Sequence, residues 1–92
     1  MAHTFDELVA MQRAADQARN RVEELRDSFG PPAHHTWTDV QTDTYETAWR
    51  AWRDLARDVQ AAVTRYAKDE EKPRNAVEEE IRRTARHPPP AP

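Results

Sequence analysis

The chain has 92 residues, of which 34% are charged and 37% are hydrophobic, and it contains no cysteine. These figures exclude more than one domain and any disulfide or thiolate metal site, so oligomerisation is the remaining way to supplement a thin core. The net charge of −3 does not favour nucleic acid, which binds basic faces, and no apolar run approaches the roughly 20 residues of a membrane span.

The first predicted element is a helix over about residues 4–29. Thr4 and Glu7 have the spacing of a capping box, and Gly30 with two prolines behind it is a helix stop signal. Charged residues between the apolar positions, Arg13 among them, are predicted to form a solvated face. The apolar positions recur in alternating steps of three and four, which is the heptad stripe of a helix that packs against helices. This stripe consists of Leu8, Met11, Ala15, Ala18, Val22, Leu25 and Phe29.

The second predicted element is a helix over about residues 38–71. Thr38 and Gln41 have the spacing of a second capping box, and Asp39 suits the positive start of the helix dipole. Thr36 with Asp39 is an alternative cap two residues earlier. The heptad stripe here is Tyr45, Ala48, Trp52, Leu55, Val59, Ala62 and Tyr66, and it is widened on one side by Trp49, Ala56 and Val63.

A short, Pro-rich tip over residues 30–37 joins two helices of similar length, which predicts an all-α antiparallel hairpin over residues 1–71. Two helices alone leave Trp49 and Trp52 half exposed, whereas burying a large apolar side chain is worth about 1.5–3 kcal/mol. The sequence therefore predicts that two hairpins pair into a four-helix bundle. The expected core and dimer interface consists of Leu8, Met11, Val22, Leu25, Phe29, Tyr45, Trp49, Trp52, Leu55, Val59 and Val63.

Residues 72–92 are predicted to be a flexible C-terminal tail. A short helix over 74–86 places Val77 and Ile81 on one face, but so short a helix is unstable by itself, and we expect it to fray until it is bound. The Pro-rich residues 88–92 fit neither helix nor strand.

Nothing in the sequence favours catalysis, a cofactor or a small-molecule substrate. His34 and His35 are adjacent in the tip with Asp39 nearby, but a metal site needs three or four converging ligands, and adjacent loop histidines usually point apart. Ser28 is the only serine and lies in no nucleophile elbow. A Gly-rich phosphate loop is also absent. We therefore expect no enzyme activity and no metal.

Several aromatic positions have the spacing of a known family. Trp37 lies at the hairpin tip, Tyr45 follows eight residues later and Trp52 fifteen residues later, and Tyr66 and Glu70 form a Tyr-x-x-x-Glu element at the end of the second helix. In order, spacing and helical context these residues resemble the WXG family of small type VII (ESX) secretion substrates. The similarity extends over about residues 4–81.

The resemblance implies a specific function. Family members pair with a sibling hairpin, as homo- or heterodimers, and leave the cell through an FtsK-like secretion ATPase. Tyr66 and Glu70 would be the export signal, and Val77 and Ile81 would bind the ATPase. Asp39 stands where the tip motif of the family has glycine, and as a helix-capping residue it leaves the fold unchanged. The chain would be made in the cytoplasm and secreted without a cleaved signal peptide, since its start lacks the basic and apolar segments of one.

Plainer interpretations stand beside each of these assignments. Trp37 can be a hydrophobic plug that packs the turn, and Tyr66 can simply close the second stripe while Glu70 is an ordinary solvated carboxylate. Val77 and Ile81 can fold back on the bundle. The chain as a whole can be an intracellular helical scaffold or chaperone unrelated to secretion.

Overall fold

The computed structural model describes residues 3–31 and 36–87. Within them the chain forms three α-helices and no strand: α1 is Phe5–Phe29, α2 is Asp39–Asp69 and α3 is Arg74–Arg86. The all-α class is therefore confirmed. No helix among the described residues is long and apolar enough to cross a membrane.

Helix α1 ends at the predicted Phe29 and begins at Phe5, one residue after the predicted start, with the predicted Thr4 as its N-cap. The backbone N–H of Glu7 donates to Thr4 Oγ1 at 3.2 Å, and the N–H of Thr4 donates to Glu7 Oε1 at 3.0 Å, which completes the capping box. The hydrogen bond from the Thr4 N–H is the largest cause that holds the pKa of the Glu7 carboxyl below its ordinary value, and side-chain hydrogen bonds from Thr4 and His3 add to it. Gly30 follows the helix with φ 82°, a conformation that glycine adopts without steric cost.

Helix α2 begins at Asp39 with Thr38 as its N-cap. The N–H of Gln41 donates to Thr38 Oγ1 at 3.1 Å and the N–H of Thr38 donates to Gln41 Oε1 at 2.9 Å. The Thr38–Gln41 box is confirmed, and the alternative start at Thr36 is wrong. Capping therefore falls to Thr38, and Asp39 lies in the first turn, where its negative charge suits the helix dipole. The helix ends at Asp69, two residues before the predicted end.

Helices α1 and α2 lie antiparallel. At one end the ring of Phe5 is 6.4 Å from the ring of Tyr66, and at the other the ring of Phe29 lies against the tip residue Trp37, which precedes α2. We refer to these two helices as the α1–α2 pair. Helix α3 contacts both of them, so the described residues form a three-helix arrangement rather than a two-helix hairpin with a free tail.

Helix α3 differs most from the sequence-based expectation. Its bounds agree with the predicted segment 74–86, but Val77 is only 2% exposed and Ile81 is 0% exposed, so the helix is docked and not frayed. The physical reason is that its single apolar face meets the apolar groove that α1 and α2 leave open, and tertiary packing stabilises a helix too short to stand alone. The core cluster comprises Leu8, Ala15, Val59, Ala62, Val63, Ala67, Val77 and Ile81.

Candidate partner-binding surface

An aromatic cluster closes the tip of the α1–α2 pair. Trp37 is half-buried. Its ring is 5.5 Å from the ring of Phe29 and 5.0 Å from that of Tyr45, both edge-on, the geometry that aromatic pairs favour. Its indole Nε1–H donates to the Gly30 carbonyl at 2.9 Å. Trp37 therefore connects the end of α1 to the start of α2, which agrees with its interpretation as a plug.

The two ends of the α1–α2 pair are covered differently. We call residues 5–18 and 53–69 the α3-covered half, because Val77 and Ile81 of α3 pack into its aliphatic core. Residues 19–29 and 39–52 form the tip half, beyond the end of α3. Within the tip half Trp49 is 40% exposed.

The exposed side of the tip half is a shallow groove between α1 and α2. Arg19, Glu23 and Arg26 form its α1 edge, and Trp49 and Trp52 lie on its α2 side. The full lining is Arg19, Val22, Glu23, Arg26, Tyr45, Trp49 and Trp52.

This groove continues toward α3. The adjoining concave surface is again lined by Arg19 and Trp52, and it ends at Arg82 and Arg86 of α3. Helix α3 thus occupies one end of a continuous groove and leaves the other end open. The open end presents apolar rings between charged rims, which is the composition of a protein-binding surface rather than of a small-molecule pocket.

Charges along the open groove alternate in sign. Asp16, Arg19, Glu23 and Arg26 succeed one another on α1 with steps of three and four residues, and all four are exposed. Arg19 Nε pairs with Glu23 Oε1 at 3.2 Å. Such exposed pairs contribute little to stability, so these side chains remain available to a partner.

Arginines also fasten α3 to the α1–α2 pair. The Arg13 guanidinium donates to the carbonyls of Thr84 at 3.3 Å, Ala85 at 3.5 Å and His87 at 2.9 Å. These carbonyls belong to the end of α3, where a positive charge suits the helix dipole. At the other end of α3, the Arg74 guanidinium donates to Thr64 Oγ1 at 2.8 Å and to the side-chain carbonyl of Gln60. The assignment of Arg13 to a solvated face is therefore wrong.

The residues predicted to form the core and the dimer interface divide into three groups. Leu8, Val22, Leu25, Val59 and Val63 are buried within the chain itself. Met11, Phe29, Tyr45, Trp52 and Leu55 are half-buried, and Trp49 is exposed. A role in pairing stays a prediction for this set. Only the half-buried and the exposed residues keep accessible surface that a partner could cover.

The residues predicted to carry an export signal lie at the end of α2. Tyr66 is half-buried against Phe5, and its carbonyl accepts from the N–H of Glu70 at 2.9 Å. Glu70 is exposed. Val77 and Ile81 lie in the core, so the structure places them with Leu8 and Val63 and not on an open tail. The signal and ATPase roles of all four stay predictions.

Val9 and Val40 are among the apolar residues that are absent from the predicted interface set. Val9 is 3% exposed although it lies one position off the stripe, and Val40 is 76% exposed at the start of α2. Neither residue lies at a position of the predicted heptad stripes. His34 and His35, weighed above as metal ligands, lie outside the described residues. Among the residues that are described, no three His, Asp or Glu side chains are placed to hold a metal ion.

Comparisons with known proteins yielded no matching family model, no matching curated protein and no matching solved structure.

Proposed function

We propose that this chain is a helical adaptor that binds another helical protein through the groove of its tip half. The observation that carries the proposal is the 40% exposure of Trp49 in a groove that α3 leaves open. Large aromatic side chains at the centre of a concave apolar surface with charged rims are the usual anchors of protein interfaces. A partner helix that covered this groove would remove the Trp49 indole from water.

In its more specific form, the proposal is a type VII secretion substrate that pairs with a sibling hairpin. The spacing of Trp37, Tyr45 and Trp52 and the Tyr66–Glu70 element support it. Tyr66 and Glu70 lie one turn apart at the end of α2, with Glu70 exposed. Val77 and Ile81 are buried, so binding of an FtsK-like ATPase to them would require α3 to leave the core.

That burial also favours a second candidate, an intracellular helical scaffold or chaperone. Val77 at 2% and Ile81 at 0% exposure complete the core of the chain, which is a sufficient structural reason for their presence. Under this alternative the tip half still binds a helical partner, but residues 74–86 carry no signal.

An export assay in the chain's own host separates the two candidates. We expect the protein in the culture medium only when the FtsK-like ATPase gene is intact, and we expect Glu70→Gln to abolish export without changing thermal stability. Glu79→Gln, a change at another exposed carboxylate, is the matched control and should be exported normally. Retention of the wild-type protein inside cells would overturn the secretion proposal and leave the scaffold.

The adaptor proposal has its own test. Trp49→Ser removes the exposed ring, and we expect it to lose the bound helical protein on purification from the host while keeping its helix content by circular dichroism. Arg50→Ser, at the next and also exposed position, should retain the bound protein. Equal recovery with both variants would contradict a partner-binding role for the tip half.

A further inference from the structure

A concave surface lies where α1, α2 and α3 meet, and we call it the three-helix wedge. Its charged lining consists of Arg19 of α1, Arg82 and Arg86 of α3, and Asp16. Three guanidinium groups against one carboxylate give this lining a net charge of +2, although the whole chain carries −3. The pair that Arg19 forms with Glu23 is exposed and contributes little. A positive concave surface on an acidic chain favours an anionic occupant.

The carboxylate that pairs with α3 leaves part of this positive charge uncompensated. Glu78 lies on the neighbouring face of α3, outside the wedge. Its carboxylate is shared between Arg82 at 2.5 Å and Arg74 at 2.8 Å, so one negative charge serves two positive ones. Arg86 forms no ion pair with any residue that the structure describes. The Arg86 guanidinium therefore keeps its donors available to a partner.

Apolar side chains lie beside the guanidinium groups in the wedge. Ala15 and Val59 are buried, and Trp52 and Ala56 are half-buried and keep accessible surface. The Trp52 indole is the largest apolar group of the four. An occupant that meets both kinds of group must carry anionic atoms next to an apolar side chain. A protein segment in which Asp or Glu residues flank an apolar residue has this chemistry.

The arginines of the wedge are suited to carboxylates, because the planar guanidinium fork donates two parallel hydrogen bonds to the two oxygens of one carboxylate. We propose that the three-helix wedge binds an acidic segment of the helical partner, with carboxylates on Arg19 and Arg86 and an apolar side chain against Trp52. The inference rests on the proposed adaptor function and names the chemistry of the partner.

Helix α3 supplies two of the three arginines, so the wedge exists only while α3 is docked. Val77 and Ile81 hold this helix in the core. An acidic segment that bridges Arg19 of α1 and Arg86 of α3 would therefore bind the docked arrangement alone. Because a ligand stabilises the state to which it binds, the partner should in turn hold α3 in place.

A designed peptide is the probe for this site. It has about 15 residues, near the length from which isolated helices form in water, and it consists of Ala, Leu and Glu with glutamates on both sides of a leucine stripe. Its control peptide carries Lys in place of every Glu. In isothermal titration calorimetry we expect the Glu peptide to bind saturably and the Lys peptide not to bind.

Substitutions in the wedge identify where the Glu peptide binds. Arg19→Gln and Arg86→Gln should each raise its Kd about tenfold, because each removes a charged partner of a carboxylate. Arg21→Gln and Arg83→Gln are the matched controls, since they make the same change of net charge on the same two helices at exposed positions outside the wedge. Both controls should bind like wild type.

Hydrogen exchange tests the coupling to α3. Saturating Glu peptide should slow amide exchange over residues 77–86 in wild type and leave it unchanged in Arg86→Gln. Binding that does not slow this exchange would overturn the coupling. Failure of wild type to bind the Glu peptide, or equal Kd values for the wedge variants and their controls, would overturn the acidic partner.

The outcomes also separate this inference from the adaptor proposal. If Arg86→Gln keeps the host protein that Trp49→Ser loses, and binds the Glu peptide like wild type, the adaptor proposal stands and the inference fails. If wild type binds the Glu peptide through Arg86 but no host protein is recovered with it, the wedge stands and the adaptor proposal fails.

Discussion

The α3-covered half and the tip half use similar heptad stripes but fill them with different side chains. In the α3-covered half the largest buried residues are aliphatic: Leu8, Val59 and Val63 meet Ile81, and each is at most 2% exposed. In the tip half the α2 side of the stripe is aromatic, and Trp49 keeps 40% of its surface exposed. An aliphatic side chain contributes to stability only where it is removed from water. Trp and Tyr tolerate partial exposure because one end of each side chain is polar.

This difference fits the adaptor proposal. The α3-covered half completes its own core, whereas the tip half keeps exposed aromatic surface that we propose binds another protein. Variants in the α3-covered half should therefore act mainly on stability, and variants in the groove of the tip half mainly on binding. Substitutions in each half test whether stability and binding are divided in this way.

The largest effect is expected at Ile81. Ile81→Ala leaves a cavity between three helices and should lower the free energy of unfolding by about 2–5 kcal/mol, as measured by urea unfolding followed by circular dichroism. Helix α3 has no side-chain cap at its start and depends on this contact, so its signal should be lost first.

Arg83→Ala is the matched control for Ile81→Ala. Arg83 is exposed on the same helix, and truncating it should change stability by no more than about 0.5 kcal/mol. A similarly small loss for Ile81→Ala would mean that α3 does not complete the core, and the division into two halves would be wrong.

Trp37 should give the next largest effect, at the opposite end. Trp37→Ala removes two edge-on ring contacts and the bond to Gly30, and we expect a loss of about 2 kcal/mol, below the range for a fully buried ring. Trp37→Phe keeps a ring but leaves the Gly30 carbonyl without its donor, for about 1 kcal/mol. Thermal unfolding of the two variants compares them. No loss in either variant would show that the aromatic cluster does not close the tip.

Much of the local structure was predictable because its causes are local. The capping pairs Thr4–Glu7 and Thr38–Gln41 are separated by three residues, and a side chain that satisfies a backbone donor three positions away leaves a pattern in the sequence. The helix stop at Gly30 is local in the same sense. The heptad stripes likewise identified most of the buried side chains.

The docking of α3 was not predictable in this way. The apolar face at Val77 and Ile81 indicates that the helix packs against something. It does not indicate whether the helix packs against its own chain or against another protein. Arg13 illustrates the same limit, because its acceptors lie 71, 72 and 74 residues away and an arginine between stripe positions looks like any solvated residue. Contacts between residues far apart in the sequence leave no regular spacing that could be recognised. The groove of the tip half could not be predicted for the same reason.

The smallest expected effect is a difference between the two halves in how their helix caps respond to acid. The α3-covered half contains the start of α1, whose capping box uses the Glu7 carboxylate, and the tip half contains the start of α2, whose box uses the Gln41 amide. Hydrogen bonds from Thr4 lower the pKa of Glu7. The stabilisation from this box is therefore fully present above the ordinary value of 4.5 and is lost as the pH falls through the folded-state pKa.

An NMR titration detects this difference at single residues. The amide proton of Thr4 donates to the Glu7 carboxylate and should shift as that group is protonated, while the amide proton of Thr38, which donates to Gln41, should not. Glu7→Gln should make Thr4 insensitive to acid, and Gln41→Glu should make Thr38 sensitive. If Thr4 still shifts in Glu7→Gln, the response belongs to another group, and the acid sensitivity of the α3-covered half does not arise from its capping box.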